Sequence, residues 1–360
     1  MHVILANPRG FCAGVHMAVD VVGILLDTLP GTPIYVYHEI VHNRHVVGRF
    51  IDRGAVFVED LRDVPVGSIV VFSAHGVSPQ VRALADARGL TAIDATCPLV
   101  TKVHSEAIRY ARQGYQILLI GHADHQEVIG TRGEAPDATQ VVETPGDIAS
   151  LSINDPEKLV YLTQTTLSTD DAQVIIDALK RAFPRIKDPP GSDICYATTN
   201  RQHAVRTIGP ECDLVLVVGS KNSSNSVRLT EIARNVGTPA HLLDDATELS
   251  DAWFAATPYA GRDATVLVTA GASAPEDLVA GVCRHLITRF GGTIEQRDIT
   301  TEDIEFALPL GLKRLLRERG VNPDDMRIRV GHYDITASAY GNAPGAPPVP
   351  VTLTVRRSEL

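Results

Sequence analysis

CAGVHMAVDVVGILL begins at Cys12, CPLVTKVHSEAIRYA at Cys97 and CYATTNRQHAVRTI at Cys195. Each is a cysteine followed by apolar residues at helical spacing, and in the first Val15, Ala18, Val19, Val22, Leu25 and Leu26 form the stripe. A strand-like run follows in every case: PIYVYHE at Pro33, ILLIGHA at Ile117 and LVLVVGS at Leu214. The polar loops after these runs place His42, His125 and Ser223 at 30, 28 and 28 residues beyond Cys12, Cys97 and Cys195. A second strand then ends each unit in hydroxyl or imidazole residues: SIVVFSAHG, KLVYLTQTT and ATVLVTAGASAP.

A repeat of this kind fixes architecture before any single residue is discussed. Alternating strands and helices predict three small parallel α/β units, whose ligands belong in the loops beyond the strand carboxyl ends. If a pseudo-threefold axis relates the units, three distant cysteines and three sets of loops meet at one centre. The expected divisions are 1–96, 97–194 and 195–300, with a C-terminal segment over 301–360. Its last stretch, GNAPGAPPVPVTLTVRRSEL, reads as a flexible or strand-forming tail.

Bulk properties exclude several classes. With 33 Lys and Arg against 43 Asp and Glu, the net charge of -10 argues against nucleic-acid binding, which needs a cationic surplus. The start, MHVILANPRGF, lacks the basic and apolar regions of a signal peptide, and no apolar run is long enough for a bilayer, so a cytoplasmic protein is expected. The five cysteines form no CxxC pair and lack the density of a disulfide scaffold. Cys212 and Cys283 have no counterparts in the repeat and read as packing residues. One buried cysteine at a helix start would be read the same way, but three at equivalent positions favour a shared role.

Three thiolates with a fourth position vacant describe an iron-sulfur cluster with one open iron, since such clusters ordinarily take four cysteines. Cys97 suits a thiolate, with Thr96 as N-cap, Pro98 in the first turn and the helix dipole favouring negative charge. His42, His75, His125, Ser223, Ser224, Asn225 and Ser273 offer imidazole, hydroxyl and amide donors for a phosphate-bearing anion, without Lys or Arg. His104, His122 and His203 read as structural. Glu127 is open to two readings, a solvated carboxylate or a buried general acid. An open-iron cluster also admits a hydro-lyase, and a redox sensor is a third possibility, disfavoured by the anion-binding loops.

The stretches NPRGFCAGV, VHNRHVV, FSAHGVSP, DATCPLVTKVH, GHADHQEVIGT, TQTTLS, DICYATTNRQ, GSKNSSNS and TAGASAP resemble, in order, the 4-hydroxy-3-methylbut-2-enyl diphosphate reductases of the LytB family. The resemblance implies an α/β trefoil around a 4Fe-4S cluster held by Cys12, Cys97 and Cys195. It implies diphosphate binding by His42, His75, His125, Ser223, Ser224, Asn225 and Ser273, with Thr165 on the substrate hydroxyl and Glu127 as proton source. The implied reaction is reductive dehydroxylation to isopentenyl and dimethylallyl diphosphates, the last step of the non-mevalonate isoprenoid pathway. Electrons would come from ferredoxin or flavodoxin, so no nicotinamide site is expected, and no G-x-G-x-x-G follows a strand. Two departures stand out: Gln126 replaces the family's usual proline and Arg132 adds a charge, and the chain runs past the family's normal end.

Overall fold

The computed structural model describes residues 1–255 and 264–323, together with the backbone of two short strands at 327–329 and 353–357. In chain order its elements are β1 (His2–Asn7), α1 (Ala13–Thr28), β2 (Ile34–Tyr37), α2 (Arg44–Asp52), β3 (Ala55–Val58), β4 (Ile69–Phe72), α3 (Pro79–Ala87) and β5 (Thr91–Asp94). The second stretch comprises α4 (Pro98–Arg112), β6 (Gln116–Ile120), α5 (Gln126–Glu134), β7 (Thr139–Val142), β8 (Leu159–Thr163) and α6 (Thr169–Ala182). The third comprises α7 (Tyr196–Ile208), β9 (Leu214–Val218), α8 (Ser224–Asn235), β10 (Ala240–Leu243), α9 (Asp251–Ala255), β11 (Thr265–Ala270), α10 (Glu276–Phe290) and β12 (Thr293–Asp298). After these come β13 (Glu305–Ala307), α11 (Leu310–Glu318), β14 (Arg327–Arg329) and β15 (Leu353–Arg357).

The strands form three parallel sheets, ordered β3-β2-β4-β5, β7-β6-β8 and β10-β9-β11-β1-β12-β15, beside an antiparallel pair of β13 and β14. The repeat is visible in these orders. Each sheet contains the same trio, in which the unit's first strand lies between its second and third. Strands covered on both faces carry continuous apolar runs, as parallel sheets require; Leu214, Val215, Leu216, Val217 and Val218 of β9 are all buried.

Sheet membership departs from the divisions of the chain in two places. β1 lies at the start of the chain but pairs with β11 and β12, so residues 2–7 belong to the third sheet. The described residues 302–323 are not set apart from the first unit: Leu308, Leu312 and Leu316 are buried in its core. Helix α1 buries Met17 and Val21 outside the predicted stripe, in the same core cluster as these leucines, while Val19 and Leu26 stay half-buried. Of the tail, Leu353–Arg357 forms a strand along β12, and the proline-rich stretch before it lies outside the described residues.

Helix α8 comes unusually close to its sheet. A methyl group on Gly219 or on Gly271 would stand 3.0 Å or less from Ser226 Cβ, so only glycine lets the start of α8 settle against the ends of β9 and β11. We expect Gly271→Ala to lower the urea-unfolding stability of the metal-free protein by about 1–3 kcal/mol through overpacking. Gly281→Ala in α10, where nothing lies within 4 Å of the new methyl, is expected to be neutral or stabilising by up to ~1 kcal/mol. Equal effects at the two sites would refute this account.

Candidate active site

Each repeat cysteine occupies the N-cap of its helix: Cys12 before α1, Cys97 before α4 and Cys195 before α7. None of the three thiols makes a capping hydrogen bond. Thr96 does not cap α4 as its residue type suggests. Its backbone N–H and its hydroxyl both bond the Asp94 carboxylate, which leaves the cap to Cys97, with Pro98 at the helix start as expected.

All three thiols line one cavity with about 670 Å³ of atom-free space, part of it open to solvent. Gly14 makes room for Cys97, since a methyl there would lie 3.1 Å from Cys97 Cβ. The helix dipoles do not make these groups thiolates in the metal-free chain. Burial outweighs them, pushing Cys195 up to about 11 and Cys97 higher still, and raising Cys12 despite the nearby Arg201. Such thiols ionise when a metal replaces the proton. Among the described residues no three His, Cys, Asp or Glu side chains gather closely enough for a single metal ion. Three thiols lining one cavity are a donor set that suits an iron-sulfur cluster.

The same cavity gathers His42, His75, His125, Glu127, Thr165, Ser223, Ser224, Asn225 and Ser273. His42 and His75 stack with centroids 4.0 Å apart, and His125 stands edge-on at 5.4 and 5.9 Å. Burial lowers His125 to about 4 and drives His75 well below the usual range, with the neighbouring histidines adding to the effect. The His75 and His125 rings are thus neutral donors until an anion offsets their charging. His42 Nδ1 lies 3.0 Å from Glu39, whose carboxylate also accepts from Asn222 at 2.7 Å.

Local capping positions the loops. Asn43 accepts from His45 and Val46 backbone N–H at the start of α2, His125 Nδ1 accepts from Glu127 N at 3.2 Å, and Ser223 caps α8. Ser273 donates to the His42 carbonyl at 2.9 Å, tying the third unit to the first. Asn225 Oδ1 accepts from Ala272 N at 2.9 Å, and its buried Nδ2 has no protein partner. A buried orphan donor of this kind is costly unless a ligand accepts from it. Among the described residues no Lys or Arg lines the cavity.

Glu127 is buried, which removes the reading of a solvated carboxylate. It accepts from Thr165 twice, at Oε1 from the backbone N–H (2.6 Å) and at Oε2 from the hydroxyl (2.9 Å). Burial nevertheless lifts it to about 7. Gln126 takes the first position of α5, where proline is tolerated without being required, and the helix forms intact; Arg132 is exposed in its last turn.

Thr166 and Thr198 also line the cavity, and Thr198 Oγ1 lies 3.2 Å from Cys195 Sγ. Neither stood out beforehand, although both sit inside quoted motifs, TQTTLS and DICYATTNRQ. Of the histidines read as structural, His104 is buried 2.9 Å from Glu134, His122 lies 2.9 Å from Arg228, and His203 is exposed. Cys283 is buried in the third unit's core, and Cys212 bonds the Ile208 carbonyl.

Residues 3–287 match the family described as LytB protein. The chain is 53% identical over 308 residues to a 4-hydroxy-3-methylbut-2-enyl diphosphate reductase of Mycobacterium sp. (strain KMS), covering 85% of this chain and 90% of the relative. A relative of the same name from Rhodopirellula baltica is 50% identical over 319 residues, covering 89% and 98%. Among solved structures, the E-1-hydroxy-2-methyl-but-2-enyl-4-diphosphate reductase from Plasmodium falciparum superposes with a TM-score of 0.84 at 41% identity, covering 88% of this chain and 98% of that one. Three α/β units around a cavity lined by three helix-capping cysteines, with matches of this extent, establish that the chain belongs to the LytB family of 4-hydroxy-3-methylbut-2-enyl diphosphate reductases.

Proposed function

We propose that this chain carries out the reductive dehydroxylation of 4-hydroxy-3-methylbut-2-enyl diphosphate, giving isopentenyl and dimethylallyl diphosphates as the terminal step of the non-mevalonate pathway. The reaction takes two electrons and two protons; one proton leaves in water with the hydroxyl and one ends on carbon. The carrying observation is the cavity in which three half-buried thiols, an anion-type donor set and a buried carboxyl raised to about 7 meet. Cys12, Cys97 and Cys195 would hold a 4Fe-4S cluster, which would supply the electrons that ferredoxin or flavodoxin delivers.

The remaining roles follow from this chain's own groups. His42, His75 and His125 with Ser223, Ser224, Asn225 and Ser273 hold the diphosphate, and the orphan Asn225 Nδ2 gains its acceptor there. Anchoring that end aims the allylic hydroxyl toward Thr165. Thr165 Oγ1 lies 2.9 Å from Glu127 Oε2, so a proton on that oxygen passes through the threonine hydroxyl to the departing group. Glu127 and Thr165 are themselves buried, which keeps bulk water from competing for the proton. Among the described residues no helix is long and apolar enough to cross a membrane.

Three outcomes are expected. Anaerobically prepared protein carries one cluster by iron and sulfide analysis, which Cys12→Ser, Cys97→Ser or Cys195→Ser abolishes together with activity, whereas Cys212→Ser and Cys283→Ser leave it; a stable cluster after loss of any one of the three defeats the assignment. His42→Phe and His125→Phe each weaken substrate binding by roughly 1.5–3 kcal/mol in calorimetry, the value of a charge-assisted hydrogen bond, and unchanged affinity would move the anion elsewhere.

Glu127→Gln keeps the cluster and substrate binding but loses about 10²- to 10⁴-fold in turnover with dithionite and viologen. Because burial raises Glu127 to about 7, the active protonated form is present below that pH and is lost as pH rises through it. The parent rate should therefore fall above about pH 7, and a Gln variant with the parent's rate would sink the role.

A further inference from the structure

The Asn200-Arg201-Gln202 stretch has no role in the chemistry described so far, yet its middle residue is the largest fully buried side chain among the described residues. Arg201 lies one turn and a half into α7, the helix that Cys195 heads. Its guanidinium does not reach the cavity. It turns to the loop before Cys12, donating to the Gly10 carbonyl from Nε (3.2 Å) and Nη2 (2.8 Å) and to Ala197 O from Nη1 (2.9 Å). Its counter-ion is Glu302, at 3.0 Å from Nη1, which also accepts from Asn200 Nδ2 at 3.0 Å. The side chains of Arg201 and Glu302 are 1% and 4% exposed.

A fully buried ion pair is a poor stabiliser, since desolvation consumes most of the Coulombic gain and apolar replacements often do as well. What a buried pair does supply is a fixed, unscreened charge distribution at one place. Here that place is the Cys12 corner of the cavity. Arg201 and Glu302 act on Cys12 with opposite signs, while Gly10, held at φ 63° and bonded by N–H to Ala270 O at 3.3 Å, fixes the loop from the other side.

We propose that Arg201 and Glu302 form a positioning and charge-balancing pair for the Cys12 corner. The arginine holds the Cys12 loop and favours added negative charge behind it, and the glutamate trims that field so that the site is neither too easily nor too hardly reduced. The inference rests on Cys12 being a cluster ligand. Residues that served packing alone would leave the potential unmoved when the charge is removed without changing shape.

The test is a mediated redox titration of anaerobically prepared holoprotein, followed by electron paramagnetic resonance, with iron per chain measured on every sample. Glu302→Gln, which is nearly isosteric, leaves Arg201 uncompensated and should favour the reduced form about tenfold, about 59 mV for one electron. Arg201→Gln should shift the equilibrium the other way, and the double variant should return toward the parent. If Arg201→Gln binds no iron, Glu302→Gln decides alone. An intact cluster whose potential is unchanged, or shifted downward, in Glu302→Gln overturns the pair's role and leaves the cluster reading standing. A parent protein without a cluster overturns both.

Discussion

The parallel pairing of β1 between β11 and β12 is the constraint on which the site depends. It takes the first residues of the chain into the last sheet and so closes three consecutive units into a ring. Each cysteine then falls at a seam: Cys12 follows a strand of the third sheet and opens the first unit, Cys97 follows the first sheet, and Cys195 follows the second unit. Backbone bonds fasten the seams, from Cys12 N to Ala272 O, Cys97 N to Ala74 O and Cys195 N to Thr165 O. Without closure by β1, Cys12 would have no such anchor.

Burial governs the chemistry of the enclosed space. It raises the thiols, lowers His75 and His125, and lifts Glu127, all in the direction that removes charge. A cavity so biased binds charge only when the charge arrives with its own compensation, as a metal with thiolates or an anion with imidazoles. The protein keeps its fixed ionic charges one layer back, in Glu39 beneath His42 and in Arg201 with Glu302 behind Cys12.

The close approach of secondary elements gives this arrangement its rigidity. Gly219 and Gly271 let α8 descend onto its sheet, and Gly14 lets Cys97 approach α1. Gln202 adds a further tie, donating to Leu167 O at 2.8 Å and accepting from Thr169 N at 3.0 Å, so that the helix headed by Cys195 also holds the loop beyond Thr165. One helix thereby braces the surroundings of two cysteines and of the Glu127 partner.

The sequence by itself determined the repeat, the three cysteines, the loop residues proposed to bind an anion and the α/β character, because hydrophobic period and loop chemistry are local properties. Those residues all line one cavity, although they lie as far apart in the chain as Cys12 and Ser273. Only the tertiary structure decided that β1 belongs to the third sheet and that the segment after residue 301 covers the first core, since strand partners carry no local mark. It also decided the protonation of the site. Helix dipoles visible in the sequence suggested a thiolate at Cys97, and Glu127 was open between two readings. Desolvation raises the Cys97 thiol and makes Glu127 a buried carboxyl lifted to about 7, and desolvation depends on what distant segments of the chain fold over a group.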